Sequence, residues 1–140
     1  MVVAGVIVLF LVLSALNNRD RAGGGSATTG DGHGNTAATA TVISAGTQNG
    51  TISPAGDVDW FRVNVNAGTN IVAELHPNTL GSGTITILGA NAQVLDDATE
   101  AAGKVARVTY QAREAGSYFI RVRAGRSDAT GTYQVILTTR

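Results

Sequence analysis

The chain of 140 residues has no cysteine. That absence excludes a disulfide framework, a thiol nucleophile, cysteine-ligated zinc and a lipidated N-terminal cysteine together. Charge is also sparse: charged residues make up 14% of the chain, ten basic against ten acidic. No overall field therefore gathers nucleic acid or an anionic surface, and any partner must be recognised locally. Helical periodicity is nearly absent beyond position 36. The constellations of catalysis are missing too, with no His-Glu-x-x-His, no Gly-x-Ser-x-Gly elbow and no phosphate-binding loop leading into a helix. The two histidines, His33 and His76, lie in a glycine-rich stretch and beside Pro77, where a Ser-His-Asp arrangement would need accidental geometry. A small domain can hardly build the deep cleft that paired glycosidase carboxylates need. The expectation is a protein that is not an enzyme.

Residues 1–16 (MVVAGVIVLFLVLSAL) form an uncharged apolar run that stops at Asn17-Asn18-Arg19-Asp20-Arg21. As a helix it would span about 24 Å, short of the ~30 Å hydrocarbon core. It reads as a secretory signal peptide or as a membrane anchor. The signal reading lacks a positive n-region and a clear small-residue cleavage site. Arg19 and Arg21 by themselves favour a cytoplasmic domain under the positive-inside rule, against export. A misplaced start or a fragment of a longer protein is the plainer alternative. Residues 17–34 read as a flexible glycine-rich linker that cannot repay its ordering entropy. At its end Asp31, His33 and, just beyond it, Asn35 alternate, and would share a side on an extended backbone as ligands, or else continue the solvated tether.

About 105 residues from position 35 to 140 then carry short two-residue alternations between turn signals, the pattern of half-buried antiparallel strands. Strands are expected at 38–44, 50–53, 59–66, 70–76, 84–88, 93–95, 104–112, 118–123 and 131–139. Gly46 to Gly50 (GTQNG) reads as the turn between the first two. Phe61, Val63 and Val65 share one face, as do Ile71, Ala73 and Leu75; Ala106, Val108, Tyr110 and Ala112; Tyr118, Ile120 and Val122; and Tyr133, Val135 and Leu137. About eight strands of this size close over a common core as an all-β, antiparallel two-sheet β-sandwich, jelly-roll-like, with a barrel as the runner-up. Residues 51–100 hold six acids and one base, and residues 101–140 seven bases and two acids. Salt screens that asymmetry over ~8 Å.

From Gly34 to Thr139 the sequence resembles the bacterial pre-peptidase C-terminal domain. The residues that carry the likeness are Asn35-Thr36-Ala37-Ala38-Thr39-Ala40, Gly50-Thr51-Ile52, Gly56-Asp57-Val58-Asp59-Trp60-Phe61-Arg62-Val63 and Ala67-Gly68-Thr69. They continue with Asp96-Asp97, Val108-Thr109-Tyr110-Gln111-Ala112, Gly116-Ser117-Tyr118-Phe119-Ile120-Arg121-Val122 and Gly131-Thr132-Tyr133. The resemblance implies a secreted, non-catalytic accessory domain of the kind that sits beside exported peptidases. Here an apolar leader stands where the peptidase would.

Asp57 and Asp59 flank Val58 and share a side, so they offer hard oxygens to one cation such as calcium. Calcium needs six to eight oxygens, and Asp31 and Asn35 would add to them if the linker folds back over the sandwich edge. Collagen-binding relatives resemble this arrangement; His33 would be a poor ligand for so hard an ion. The alternative is a turn in which Asp57 caps backbone amides. Asp96-Asp97 diverge on a strand and read as a loop. Trp60, out of register with Phe61, is either covered by linker and sheet edge or exposed as a platform for sugar or peptide. Arg121, Arg123 and Arg126, near Arg113, form a basic stripe or a solvated sheet face. Phe119 is the lone aromatic interleaved there, which argues against a nucleic-acid groove. The functional expectation is a domain outside the cytoplasm, secreted, periplasmic or membrane-anchored, that binds extracellular polysaccharide or protein. The alternative is a structural or export module with no specific ligand.

Overall fold

The computed structural model describes residues 28, 29 and 31–140; the apolar run 1–16, read as signal or anchor, lies outside the described residues. The strands in chain order are β1 (Thr28–Thr29), β2 (His33–Gly34), β3 (Thr41–Val42), β4 (Gly46–Ile52), β5 (Val58–Val65), β6 (Asn70–Pro77), β7 (Gly83–Leu88), β8 (Val94–Thr99), β9 (Ala106–Gln111), β10 (Gly116–Ala124) and β11 (Gly131–Thr139), with one 3-10 turn at Ala37–Thr39. The larger sheet runs β1-β2-β5-β10-β7-β8, with β3 alongside β5; the smaller runs β4-β11-β6-β9. From β4 onward every connection except the β7–β8 hairpin passes between sheets. The result is the expected two-sheet sandwich. Among the described residues no helix is long and apolar enough to cross a membrane.

The two-residue rhythm explains the core. Phe61, Ile85, Ile87, Ile120 and Val122 of the larger sheet are fully buried against Ile52, Ile71, Leu75, Val108 and Val135 of the smaller. Each large apolar side chain taken from water contributes about 1.5–3 kcal/mol, which holds the layers together without cross-links. Register follows the same parity: Ile120 lies opposite Phe61 and Ile87, and Val135 opposite Leu75. A one-residue slip would turn these faces out.

Three local expectations need correction. Gly46 to Gly50 is not a turn but most of β4, paired along β11 from Leu137 to Gly131. Its polar residues suit an edge strand, and Gln134 Nε2 donates to Asn49 Oδ1 at 2.9 Å. Gly50 is required by a close approach, because a Cβ there would lie 2.2 Å from the Tyr133 hydroxyl. The strand expected at 38–44 shrinks to Thr41–Val42, since Thr36 and Thr39 cap each other across the 3-10 turn. Asp96-Asp97 is not a loop: both lie in β8, where a bulge after Ile87 shifts the register.

Gly50→Ala should therefore unseat the Tyr133 ring and lower stability by about 1–3 kcal/mol, as overpacking does. Chemical denaturation of the purified variant measures it. An unchanged midpoint would mean the ring does not lie against this glycine.

Candidate functional site

Residues 31–34, read as linker, and Asn35 cross the open side of the sandwich between β5 and β4. Gly34 pairs with Trp60 on β5. Asp31 Oδ2 accepts a hydrogen bond from the Thr51 amide on the edge of β4, and Oδ1 accepts from the His33 amide at 3.1 Å. His33 Nε2 donates to the Asn49 carbonyl at 2.9 Å, so that nitrogen carries a hydrogen. Its Nδ1 meets Thr41 Oγ1 at 3.1 Å, and the ring stands edge-on to Phe61 with centroids 4.6 Å apart. His33 is thus a structural link between the sheets rather than a ligand held out to solvent. Thr51 and Asn49 belong to an edge strand, and their pairing with this strap satisfies groups that would otherwise be open. Asp96 repeats the device at the far edge, where its Oδ2 accepts from the Thr109 amide of β9 at 2.9 Å.

The four residues proposed for a cation converge around this strap. Asp57, 5% exposed, caps its own turn: Oδ2 accepts from Ser53 N at 3.0 Å, and Oδ1 accepts from Val58 N at 2.9 Å. Asn35 Nδ2 also donates to Asp57 Oδ1, at 2.7 Å. The amide-capping turn weighed as the alternative is therefore present. Asp59 is fully buried and accepts a hydrogen bond from the Tyr133 hydroxyl across the sheets. Its other oxygen, Oδ1, and Asn35 Oδ1 are buried without a partner. Among the described residues no three or more acidic or histidine side chains form a group that could hold a metal by themselves. A depression of about 170 Å3 lined by Asp31, Gly50, Thr51 and Tyr133 opens this junction to solvent.

Burial is the main reason the Asp59 carboxyl is raised from the ordinary 3.8 to about 7. The Tyr133 hydrogen bond opposes the shift, the charges of Asp31 and Asp57 add to it, and His33 offsets part. Burial likewise pushes the Tyr133 phenol up, with the Asp59 charge next. The sequence places Tyr133 on the inward face but does not pair it with Asp59. Its signal was parity: Asp59 shares the inward register of Phe61, and a buried acid needs a donor that only an inward polar side chain of the other sheet supplies.

On the outer face of the larger sheet, Trp60 is half-buried. Its ring stands 5.9 Å from that of Phe119 at 71°, and the Arg121 guanidinium lies 5.6 Å from its centroid. Phe119, expected to be exposed, is 7% exposed. The basic stripe differs from expectation. Arg126 pairs with Asp128 at 3.2 Å in a loop, Arg113 precedes the opposite end of β10, and Arg62 on β5 joins Arg121 and Arg123 instead. His76 sits in a surface cluster, 3.3 Å from Glu74, which also meets Arg107 at 3.6 Å. Exposed pairs of this kind contribute little.

Residues 57–124 match the model of the bacterial pre-peptidase C-terminal domain family. Over those residues the chain is similar to this family. Among solved structures it is similar to the pre-peptidase C-terminal domain of collagenase from Bacillus anthracis, at 18% identity and a TM-score of 0.59, over 70% of this chain and 93% of that one. It is also similar to the surface-associated copper-binding protein CorA of Methylomicrobium album BG8, at 11% identity and a TM-score of 0.55, over 71% and 97%. A third is the Aeromonas hydrophila periplasmic inhibitor of g-type lysozyme, at 13% identity and a TM-score of 0.50, over 70% and 95%. At these identities the likeness shows the fold. No curated protein sequence matches the chain. Pre-peptidase C-terminal domains are non-catalytic accessory domains.

Because the folded-state value of Asp59 lies above its unfolded one, the folded domain holds a proton that the unfolded chain releases. This contribution to stability is complete below pH about 4 and is lost as pH rises through about 7. Melting temperature should fall between pH about 4 and about 7 in the wild type and much less in Asp59→Asn. Parallel curves for the two proteins would exclude Asp59 as the source.

Proposed function

We propose that this chain is an exported, non-catalytic accessory module whose sandwich binds or positions extracellular polysaccharide or protein outside the cytoplasm. The observation that carries the reading is the outer face of the larger sheet. Half-buried Trp60 and exposed Val42 and Val94, at 58% and 55%, lie there on a fold whose family serves as an accessory to exported enzymes. Apolar side chains left on a rigid sheet favour contact with another molecule over water. The experiment is retention of the full chain on insoluble polysaccharide and on collagen, comparing wild type with Trp60→Ala. Loss of retention in the variant is expected. Equal retention removes Trp60 as a contact, and no retention on any support favours a structural or export module without a specific ligand.

We further propose that calcium holds the strap on the sandwich, with Asp31, Asn35, Asp57 and Asp59 as donors. Two observations support the donor set. Every side chain in it offers the hard oxygen that calcium prefers, and Asp59 Oδ1 and Asn35 Oδ1 are buried without partners. The four fall short of a full shell, so main-chain oxygens or water complete it. Calcium would bind the folded state and raise its melting point by mass action. Millimolar calcium should raise the melting temperature of wild type and leave Asp57→Asn with Asp59→Asn unchanged; no rise in the wild type removes the metal.

A further inference from the structure

The outer face of the larger sheet has an order that the linear sequence conceals. Strand register sets Val42 beside Arg62, Arg62 beside Phe119, Phe119 beside Leu88 and Leu88 beside Val94. These partners form one row across five strands, about 19 Å long at ~4.8 Å per strand. Val42 and Val94 cap its ends, and they are two of the three exposed large apolar side chains among the described residues. A neighbouring row, two residues along each strand, sets Trp60 beside Arg121.

The cations of this face form no ion pair among the described residues, and its row Trp60–Arg121–Thr86 ends on a single acid, Asp97, two strands from Arg121. Among the described residues no carboxylate lies within ion-pair distance of Arg62, Arg121 or Arg123, although pairs form elsewhere at Arg107 and Arg126. The Nε atoms of Arg62 and Arg121 are shielded from solvent and have no hydrogen-bond partner. Arg121 Nη2 reaches only Thr86 Oγ1, at 3.4 Å. Burial and the nearby Arg123 charge hold the Arg121 guanidinium below its usual pKa, while Asp97, two strands away, acts in the other direction. A guanidinium fork flanked by apolar groups is built to take a carboxylate in two parallel hydrogen bonds, stronger where water is thinned.

We propose that this face docks a polypeptide segment whose carboxylates alternate with apolar side chains, Arg62 and Arg121 taking the acids and the exposed Val42 and Val94, at the two ends of a row whose Phe119 and Leu88 are buried, taking the apolar groups. Charge complementarity points to an acidic partner, and the valine-capped row distinguishes a polypeptide from other polyanions. A nucleic acid would set phosphates against the valines and find too few open rings to stack on. Arg121 lies over the Trp60 ring and Phe119 meets its edge, so the guanidinium is what this part of the face presents beside the indole. Buried aromatic and arginine anchors with an apolar surround are the composition of protein contact centres.

This inference rests on the accessory-binding reading and names its partner's chemistry. The full chain, whose sole tryptophan is Trp60, is titrated with a short acetylated Glu-Val repeat peptide, with its Lys-Val counterpart and with a polyuronate, following tryptophan emission. A saturable change with the Glu-Val peptide alone is expected, weakening as salt is raised. Arg62→Ser and Arg121→Ser should each weaken it at least about tenfold, and Arg126→Ser should not. Val42→Asp, at an exposed position that leaves folding intact, should weaken it to a similar degree. Binding of Lys-Val equal to Glu-Val, binding of polyuronate alone, or indifference to Arg62→Ser and Val42→Asp would each overturn the proposal. If the Glu-Val peptide does not bind while the chain is still retained on polysaccharide or collagen, the acidic-polypeptide chemistry fails and the broader accessory reading stands.

Discussion

A single hydrogen bond from the Tyr133 hydroxyl to the Asp59 carboxyl ties the two sheets at the end where the strap crosses them. Its members come from β5 and β11, and both are almost wholly removed from water. A carboxyl there costs several kcal/mol if charged and unpaired, so it is held as a neutral acid or paired. That constraint organises its neighbours. Gly50 has no side chain because the phenol ring lies where one would project. Asp31 and His33 close the edge of β4 beside it, and Asn35 ties the strap to Asp57.

Edges explain much of the remainder. A sandwich whose strands cross repeatedly between sheets leaves β4 and β9 with one partner each. Both edges are closed by an aspartate from outside their own sheet, Asp31 at Thr51 and Asp96 at Thr109. The acids of residues 51–100 are thus partly structural, capping amides and bridging layers. With most of them used inside the fold, the arginines of β5 and β10 form no ion pair among the described residues and share their outer face with Asp97, which gives that face its local positive character on a chain of zero net charge.

The layers and their inward faces were legible in the sequence, because Phe61 and Val63, Tyr118, Ile120 and Val122, and Tyr133, Val135 and Leu137 keep strict two-residue parity in long strands. β4 was not, since an edge strand of Gly46, Thr47, Gln48, Asn49 and Gly50 carries the same residue types as a turn. β8 was hidden by its bulge and its paired acids, which break alternation. The convergence of Asp31, Asn35, Asp57 and Asp59 at the strap was readable from the idea of a folded-back linker. The Asp59–Tyr133 bond was not, because its members are 74 positions apart and no local pattern records which strands of opposite sheets face each other. The row from Val42 to Val94 escaped for the same reason: it exists only across strands.

The most direct test of the central claim is a titration of the Asp59 side-chain carboxyl followed by carbon NMR in the folded protein. The account predicts a midpoint near pH 7, far above the ordinary 3.8, and a chemical-shift change at the Tyr133 ring in step with it. A midpoint at the ordinary value near 3.8, with no response at Tyr133, would show that the two sheets are not joined through a buried acid.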